Sequence, residues 1–97
     1  MHIVSRKALR EFWEKYPDSK HALQTWYTSV KHSTWKNPSD IKSTYHTASF
    51  LANNRVVFNI KGNQYRIVVV VQYKFGNVFI RFVGTHREYD RIDATTI

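Results

Sequence analysis

The stretch from Tyr65 to Asp90, YRIVVVVQYKFGNVFIRFVGTHREYD, limits the fold more than any other part of the chain. Two strongly apolar runs flank a turn over Lys74 to Asn77 that contains Gly76. Apolar runs on either side of a glycine turn pair as an antiparallel hairpin. Successive side chains of a strand alternate between faces. Tyr65, Ile67, Val69, Val71 and Tyr73 therefore share one face, and Arg66, Val68, Val70 and Gln72 the other. In Val78 to Val83, Val78, Ile80 and Phe82 oppose Phe79, Arg81 and Val83. Upstream of the Gly62-Asn63 turn, Arg55 to Lys61 supplies a third strand. It carries Val56, Phe58 and Ile60 on one face, and Arg55, Val57, Asn59 and Lys61 on the other. Three antiparallel strands follow. One face is wholly apolar, and the second is an open, basic surface with Asn59, Lys61, Arg66 and Arg81. The last strand runs straight into His86, Arg87, Glu88, Tyr89 and Asp90, where a rigid sheet end can fix ionisable side chains.

The wholly apolar face needs a cover, and the N-terminal half supplies it. Ala8, Leu9, Phe12, Trp13 and Tyr16 form one stripe at helical period, and Ala22, Leu23, Trp26, Tyr27 and Val30 repeat it. Ser5 offers an N-cap hydroxyl to the first helix; Pro17 ends it, and Asp18 or Ser19 caps the second. The fold class expected is α+β, an N-terminal helical hairpin packed on one face of a small antiparallel sheet. His2-Ile3-Val4 has the makings of an edge strand, and Asn37-Pro38 opens a short helix to about Lys42. Ser43 to Asn54 has no sustained period and reads as irregular. The aromatic residues of the stripes are core residues in this arrangement, not platforms for bases.

Composition narrows the function. The 97 residues include no cysteine, which excludes a disulfide framework, a thiol nucleophile and a thiolate metal site. No run of apolar residues is long enough to span a bilayer, and the N-terminus does not read as a signal peptide, so a cytoplasmic protein is expected. Fifteen Lys and Arg against seven acids give a formal charge of +8, with a sequence pI near 10.0. Such an excess suits RNA, DNA or an acidic protein as partner, or a surface that is merely well solvated.

The segments KALREFWEKYPD, LQTWY, WKNPSDIK, VVFNIKGNQYRIVV and GTHREYDRID together resemble the HigB group of RelE-superfamily toxins, over nearly the whole chain. The resemblance implies a single domain over residues 1–97 and an endoribonuclease that cleaves mRNA on the translating ribosome. It also implies a helix-turn-helix antitoxin of the HigA type, with operator DNA reached only through that antitoxin. Carried over residue by residue, it implies roles for Arg66 in the strand after the first hairpin turn, for His86 just past Gly84, and for Tyr89. Where RelE-type strands carry catalytic lysines this chain has Asn59, with Lys61 two residues on.

The residue types suit that reaction. RNA cleavage by its own 2′-OH needs a proton acceptor, a proton donor and stabilisation of the phosphorane. An imidazole, with an unperturbed pKa of ~6.5, acts in either proton role, which singles out His86. Arg66 and Arg81 present planar donor forks to phosphate oxygens, with Asn59 and Lys61 beside them. Arg81 has a second reading, as cross-strand partner of Gln72 or of Asp90 or Asp93. Tyr89 can stack or donate. Lys7, Arg10 and Lys31 on the helices are expected to meet RNA backbone. No metal or other cofactor is expected: His86, Glu88 and Asp90 alternate as a strand-borne ligand set would, but the spacing after Gly84 reads as a turn or short helix that scatters them. A non-catalytic RNA-binding domain on the basic sheet face, and a pure interaction protein, are the competing classes.

Overall fold

The apolar stripes form helices α1 (Arg6–Lys15) and α2 (Lys20–Lys31) in the computed structural model, which describes residues 1–97. Leu9, Phe12 and Trp13 of α1 and Leu23, Trp26 and Val30 of α2 are buried, as their spacing requires. A 3-10 turn over Pro17–Ser19 joins them. The capping expectations fail in detail. Ser5 and Ser19 occupy N-cap positions without a side-chain capping bond. Ser19 Oγ turns back to donate to the Tyr16 carbonyl at 2.7 Å, and Asp18 is engaged elsewhere. Asn37 does cap α3 (Pro38–Thr44), its side-chain oxygen accepting from the Asp40 N–H.

The sheet has five strands: β1 (His2–Val4), β2 (Ser49–Phe50), β3 (Arg55–Ile60), β4 (Tyr65–Gln72) and β5 (Asn77–Thr85). Their order is β1-β5-β4-β3-β2. The three central strands are antiparallel as expected, and β1 adds to β5 in parallel. The segment read as irregular contributes the two-residue β2, which pairs with Val56 and Val57 of β3. The fold is α+β with the helical hairpin on one face. Val56, Phe58, Ile60, Ile67, Val69, Val71 and Val78 meet the helices in a cluster of 17 buried residues. Phe58 is its hub, with the Trp26, Trp35 and Tyr45 rings at 5.4, 6.0 and 5.1 Å.

The other face departs from the expectation in two ways. It is not an open platform: Val57, Val68 and Ala94 are buried together, flanked by Leu51, Phe82, Tyr89, Ile92 and Ile97. The chain after Tyr89 folds back across it, held where Asn53 Nδ2 donates to the Thr95 carbonyl at 3.0 Å and Arg55 donates to the Ile97 carbonyl. Apolar Val57 and Val68 required cover, and Ile92, Ala94 and Ile97 provide it. Second, the register of β4 and β5 shifts between Val68 and Val69. Val69 faces Ile80 while Val68 faces Phe82, leaving Arg81 as the extra residue of a bulge. Beyond it the faces exchange: Phe82 joins the outer cluster and Val83 packs on the helical core. The expected grouping of Phe82 with Val78 and Ile80 is thus corrected. No helix is long and apolar enough to cross a membrane.

Candidate functional site

The bulge sets the geometry at the end of β5. It brings Gly84 opposite Arg66, and Arg66 lies opposite Asn59 on β3, so these three form one row across the sheet. Gly84 is buried, and a Cβ there would collide with the Phe82 ring, which leans across it. A glycine is therefore needed for that approach. The Phe82 ring in turn lies 6.4 Å from Tyr89.

Arg66 is only 9% exposed. Its Nη1 donates to the Asn63 carbonyl at 3.0 Å, and its guanidinium carbon stands 5.7 Å from the centre of the Tyr89 ring. None of the ion pairs in the protein includes it. A buried cation is ordinarily paired with an anion. This one has carbonyls and a π face only, which leaves it poised for an anionic ligand.

The last helix, α4 (His86–Tyr89), begins with a capping box. Thr85 Oγ1 accepts from the Glu88 N–H at 3.1 Å, and Glu88 Oε1 accepts from the Thr85 N–H at 2.8 Å. The His86 N–H donates to the Gln64 carbonyl at 2.9 Å. One turn, Asn63-Gln64, thus anchors both the Arg66 side chain and the start of α4. His86 Nδ1 lies 3.2 Å from Asp90 Oδ2, and both side chains are about half exposed, at 48% and 59%. A carboxylate on Nδ1 fixes the ring and its tautomer, and leaves Nε2 as the nitrogen not engaged by Asp90.

The site residues read from the sequence divide accordingly. Arg66 and Tyr89 are in contact, His86 is anchored to the same turn, and Asn59 shares the row, its Nδ2 making a 3.4 Å bond to the Thr47 carbonyl. Lys61 does not share it. β3 ends at Ile60, Lys61 adopts a left-handed φ of 53°, and its Nζ pairs with Asp18 at 2.9 Å beside the helices. Arg81 is exposed at the bulge and makes none of the ion pairs left open for it. Asp90 holds His86, and Asp93 accepts from Thr95. Lys7, Arg10 and Lys31 are exposed on the helices, Lys7 lying 3.7 Å from Glu11. Glu88 serves the capping box and His86 faces Asp90, so the alternating acids do not converge as ligands. Asp90 as the orienting partner was missed; its i, i+4 spacing from His86 was the available signal. The positioning of Gln64 and Phe82 had none.

Beyond the site, the Tyr65 hydroxyl donates to Asp18 at 2.5 Å. That bond, with burial, pushes the Tyr65 phenol up to about 12. The same bond, with Lys61, holds the Asp18 carboxyl below the usual carboxylate range. This cluster ties the helical hairpin to the turn between β3 and β4.

Residues 19–92 match the family model described as HigB_toxin, RelE-like toxic component of a toxin-antitoxin system. The chain is 33% identical over 96 residues to the mRNA interferase toxin HigB of Escherichia coli, covering 97% of this chain and 92% of that one. It has the same identity and coverage with the mRNA interferase HigB of Shigella flexneri. To the mRNA interferase HigB of a second Escherichia coli strain it is 26% identical over 94 residues, covering 95% and 91% of the two chains.

Proposed function

The chain belongs to the HigB toxin family, the RelE-like toxic components of toxin–antitoxin systems, and on that footing we propose that it is an endoribonuclease of mRNA whose active site is the Arg66, His86 and Tyr89 end of the outer sheet face. The observation that carries the reading is Arg66, a nearly buried cation without a carboxylate partner, anchored to the same turn as a histidine whose Nδ1 is already held.

A phosphodiester bound at Arg66 receives planar N–H donors on its non-bridging oxygens, with Arg81 supplying a second guanidinium from the bulge. His86 Nε2 takes the proton of the 2′-OH, whose oxygen attacks the adjacent phosphorus. The P–O5′ bond breaks and the 5′-oxygen takes a proton from the His86 imidazolium, leaving a 2′,3′-cyclic phosphate, a 5′-hydroxyl and a neutral imidazole. Asp90 steadies the imidazolium formed on the way. Tyr89 stacks on Arg66 and offers its hydroxyl to the substrate. The nucleophile and the acid–base group are both accounted for without a metal ion.

The whole of residues 1–97 acts as one toxin domain in the cytoplasm, on ribosome-bound mRNA. Lys7, Arg10 and Lys31 meet RNA backbone on the helical side, and an antitoxin of the HigA type neutralises the toxin and carries any operator binding. The competing non-catalytic platform is disfavoured, because the outer face that would hold bases is covered by Ile92, Ala94 and Ile97.

End analysis of mRNA cut by the purified protein on programmed ribosomes tests the chemistry. The expected ends are 5′-hydroxyl and 2′,3′-cyclic phosphate, formed at an unchanged rate in EDTA. Ends bearing 5′-phosphate, with activity restored by manganese or zinc, would contradict it.

A further inference from the structure

The largest cleft in the protein lies between the two long helices, not on the sheet. About 620 Å³ in volume, it is lined by Arg6 and Trp13 of α1 and by Gln24, Tyr27, Thr28 and Lys31 of α2. Arg6 opens α1 and Lys31 closes α2, and the antiparallel hairpin lays those two ends side by side. No acidic side chain lines the cleft. Trp13 is buried and Tyr27 half-buried, whereas Arg6, Gln24, Thr28 and Lys31 are exposed.

The Arg6 guanidinium carbon stands 5.6 Å from the centre of the Trp13 ring and 5.4 Å from that of Tyr27. Contacts of this kind attract through the ring quadrupole and leave the N–H donors of the guanidinium unspent. Neither Arg6 nor Lys31 belongs to an ion pair. The side chains of Arg6, Gln24, Tyr27, Thr28 and Lys31 make no hydrogen bond within the protein. Lys7, the next residue, differs, since its Nζ lies 3.7 Å from Glu11. Arg6 is thus a cation held in place by two rings, with its polar edge free.

We infer that this cleft holds a backbone phosphate of an RNA segment other than the one being cut, with Arg6 as its anchor. The inference rests on the reading of the chain as a ribonuclease of ribosome-bound mRNA, and gives its helical side a definite contact. Arg, Lys, Gln, Thr and Tyr side chains are among the donors that hold nucleic-acid phosphates. With Trp13 added, those types make up the whole lining. A planar guanidinium offers parallel N–H groups to phosphate oxygens, and Lys31 adds a point charge beside it. The cleft lies on the helical side of the sheet and Arg66 on the outer face, so the two bind separate stretches of RNA. A docked protein segment makes other demands. It needs an apolar pocket for its anchoring side chain, and here both rings already carry the Arg6 guanidinium. A sugar–phosphate chain asks only for donors and positive charge.

The test is co-sedimentation with ribosomes over a series of salt concentrations. The proteins are the wild type, Arg6→Gln, Lys31→Gln and, as control, Lys74→Gln in the turn between β4 and β5. Each substitution removes one positive charge from an exposed residue, and unfolding midpoints confirm folding. Arg6→Gln is expected to weaken ribosome binding by about tenfold, the scale of one hydrogen bond to a charged group. It should also flatten the log–log salt dependence by about 0.7–0.9 units, the share of one phosphate. Lys31→Gln should act in the same direction, and Lys74→Gln should change neither quantity. Equal losses in Arg6→Gln and Lys74→Gln would show net charge acting without a site, and would overturn the inference. Unchanged ribosome binding by folded Arg6→Gln would overturn it too. If that variant then fails to bind a polyglutamate peptide that the wild type binds, the cleft belongs to an acidic protein instead. Sedimentation does not depend on cleavage. A wild type that binds ribosomes through Arg6 yet cuts no mRNA therefore defeats the ribonuclease reading and leaves the phosphate contact standing.

Discussion

The two faces of the central sheet use similar strands for opposite ends. The helical face buries a cluster of 17 residues, and the outer face one of only three. The first is a core in which each ring and branched chain has partners from the helices. The second is closed over Val57 and Val68 by the chain after Tyr89, and at its other end holds Arg66, Tyr89 and His86 around the Asn63-Gln64 turn. The larger core of this protein lies on one side of three strands and the proposed chemistry on the other. A single bulge at Arg81 lets β5 serve both, because it exchanges the faces between Ile80 and Phe82.

If that division is right, damage to the helical face should be felt as stability. Phe58→Ala removes the ring at which Trp26, Trp35 and Tyr45 converge. It is expected to cost about 3–5 kcal/mol, read as a shift in the urea midpoint. A stable Phe58→Ala protein would show that the aromatic hub is dispensable. Gly84→Ala sharpens the contrast from the outer face. The added methyl displaces the Phe82 ring from its place beside Tyr89, and a loss of about 1–3 kcal/mol is expected, with cleavage weakened as well. Full activity at reduced stability would separate the Phe82 packing from the site.

Asp90→Asn tests whether the outer face orients its histidine. The side chain is exposed, so the unfolding midpoint should hardly move. The cleavage rate under saturating conditions should fall by about tenfold or more, as expected when a histidine loses the carboxylate that fixes its tautomer. An unchanged rate would make the Asp90 contact incidental.

The smallest expected effect is a pH dependence of stability from the Asp18–Tyr65 pair. The Asp18 carboxyl is lowered by the Tyr65 hydroxyl and then by Lys61. Its contribution is present above the ordinary aspartate value of ~3.9 and is lost as pH falls through the lowered folded value. Tyr65 is raised to about 12. Its contribution is present below the ordinary tyrosine value of ~10 and is lost as pH rises from there through the folded value. Urea titrations at acid, neutral and alkaline pH should show both losses in the wild type and neither in Asp18→Asn. Identical pH profiles for the two proteins would remove this link between the helices and the sheet.

Much of this was written in the sequence, and the exceptions have physical causes. Helical periodicity identified α1 and α2 and their buried residues, and alternation identified β3 and β4. The bulge left no mark, because Arg81-Phe82-Val83 continues a plausible alternation and only the pairing with Val68 and Val69 breaks it. The cover over Val57 and Val68 was missed because Arg91 to Ile97 is short and without period; its role depends on Arg55 and Asn53, far away in sequence. Lys61 was assigned by parity to the outer face, and parity ceased at Ile60 once the backbone turned left-handed. Arg66, His86 and Tyr89 were named as catalytic candidates by resemblance and strand-end logic; the fold puts Arg66 against Tyr89 and ties His86 to the same turn. That Arg66 would be buried without a counter-ion required the fold.

The central claim is that the outer face cuts RNA through His86 and Arg66. The most direct test is single-turnover cleavage of mRNA on programmed ribosomes by His86→Ala, Arg66→Gln and the wild type, each shown to be folded by its unfolding midpoint. The account predicts that His86→Ala lowers the rate by ~10²–10⁴, and that Arg66→Gln lowers it by ~10²–10³, while ribosome binding by His86→Ala is unchanged. Wild-type rates in both folded variants would contradict it.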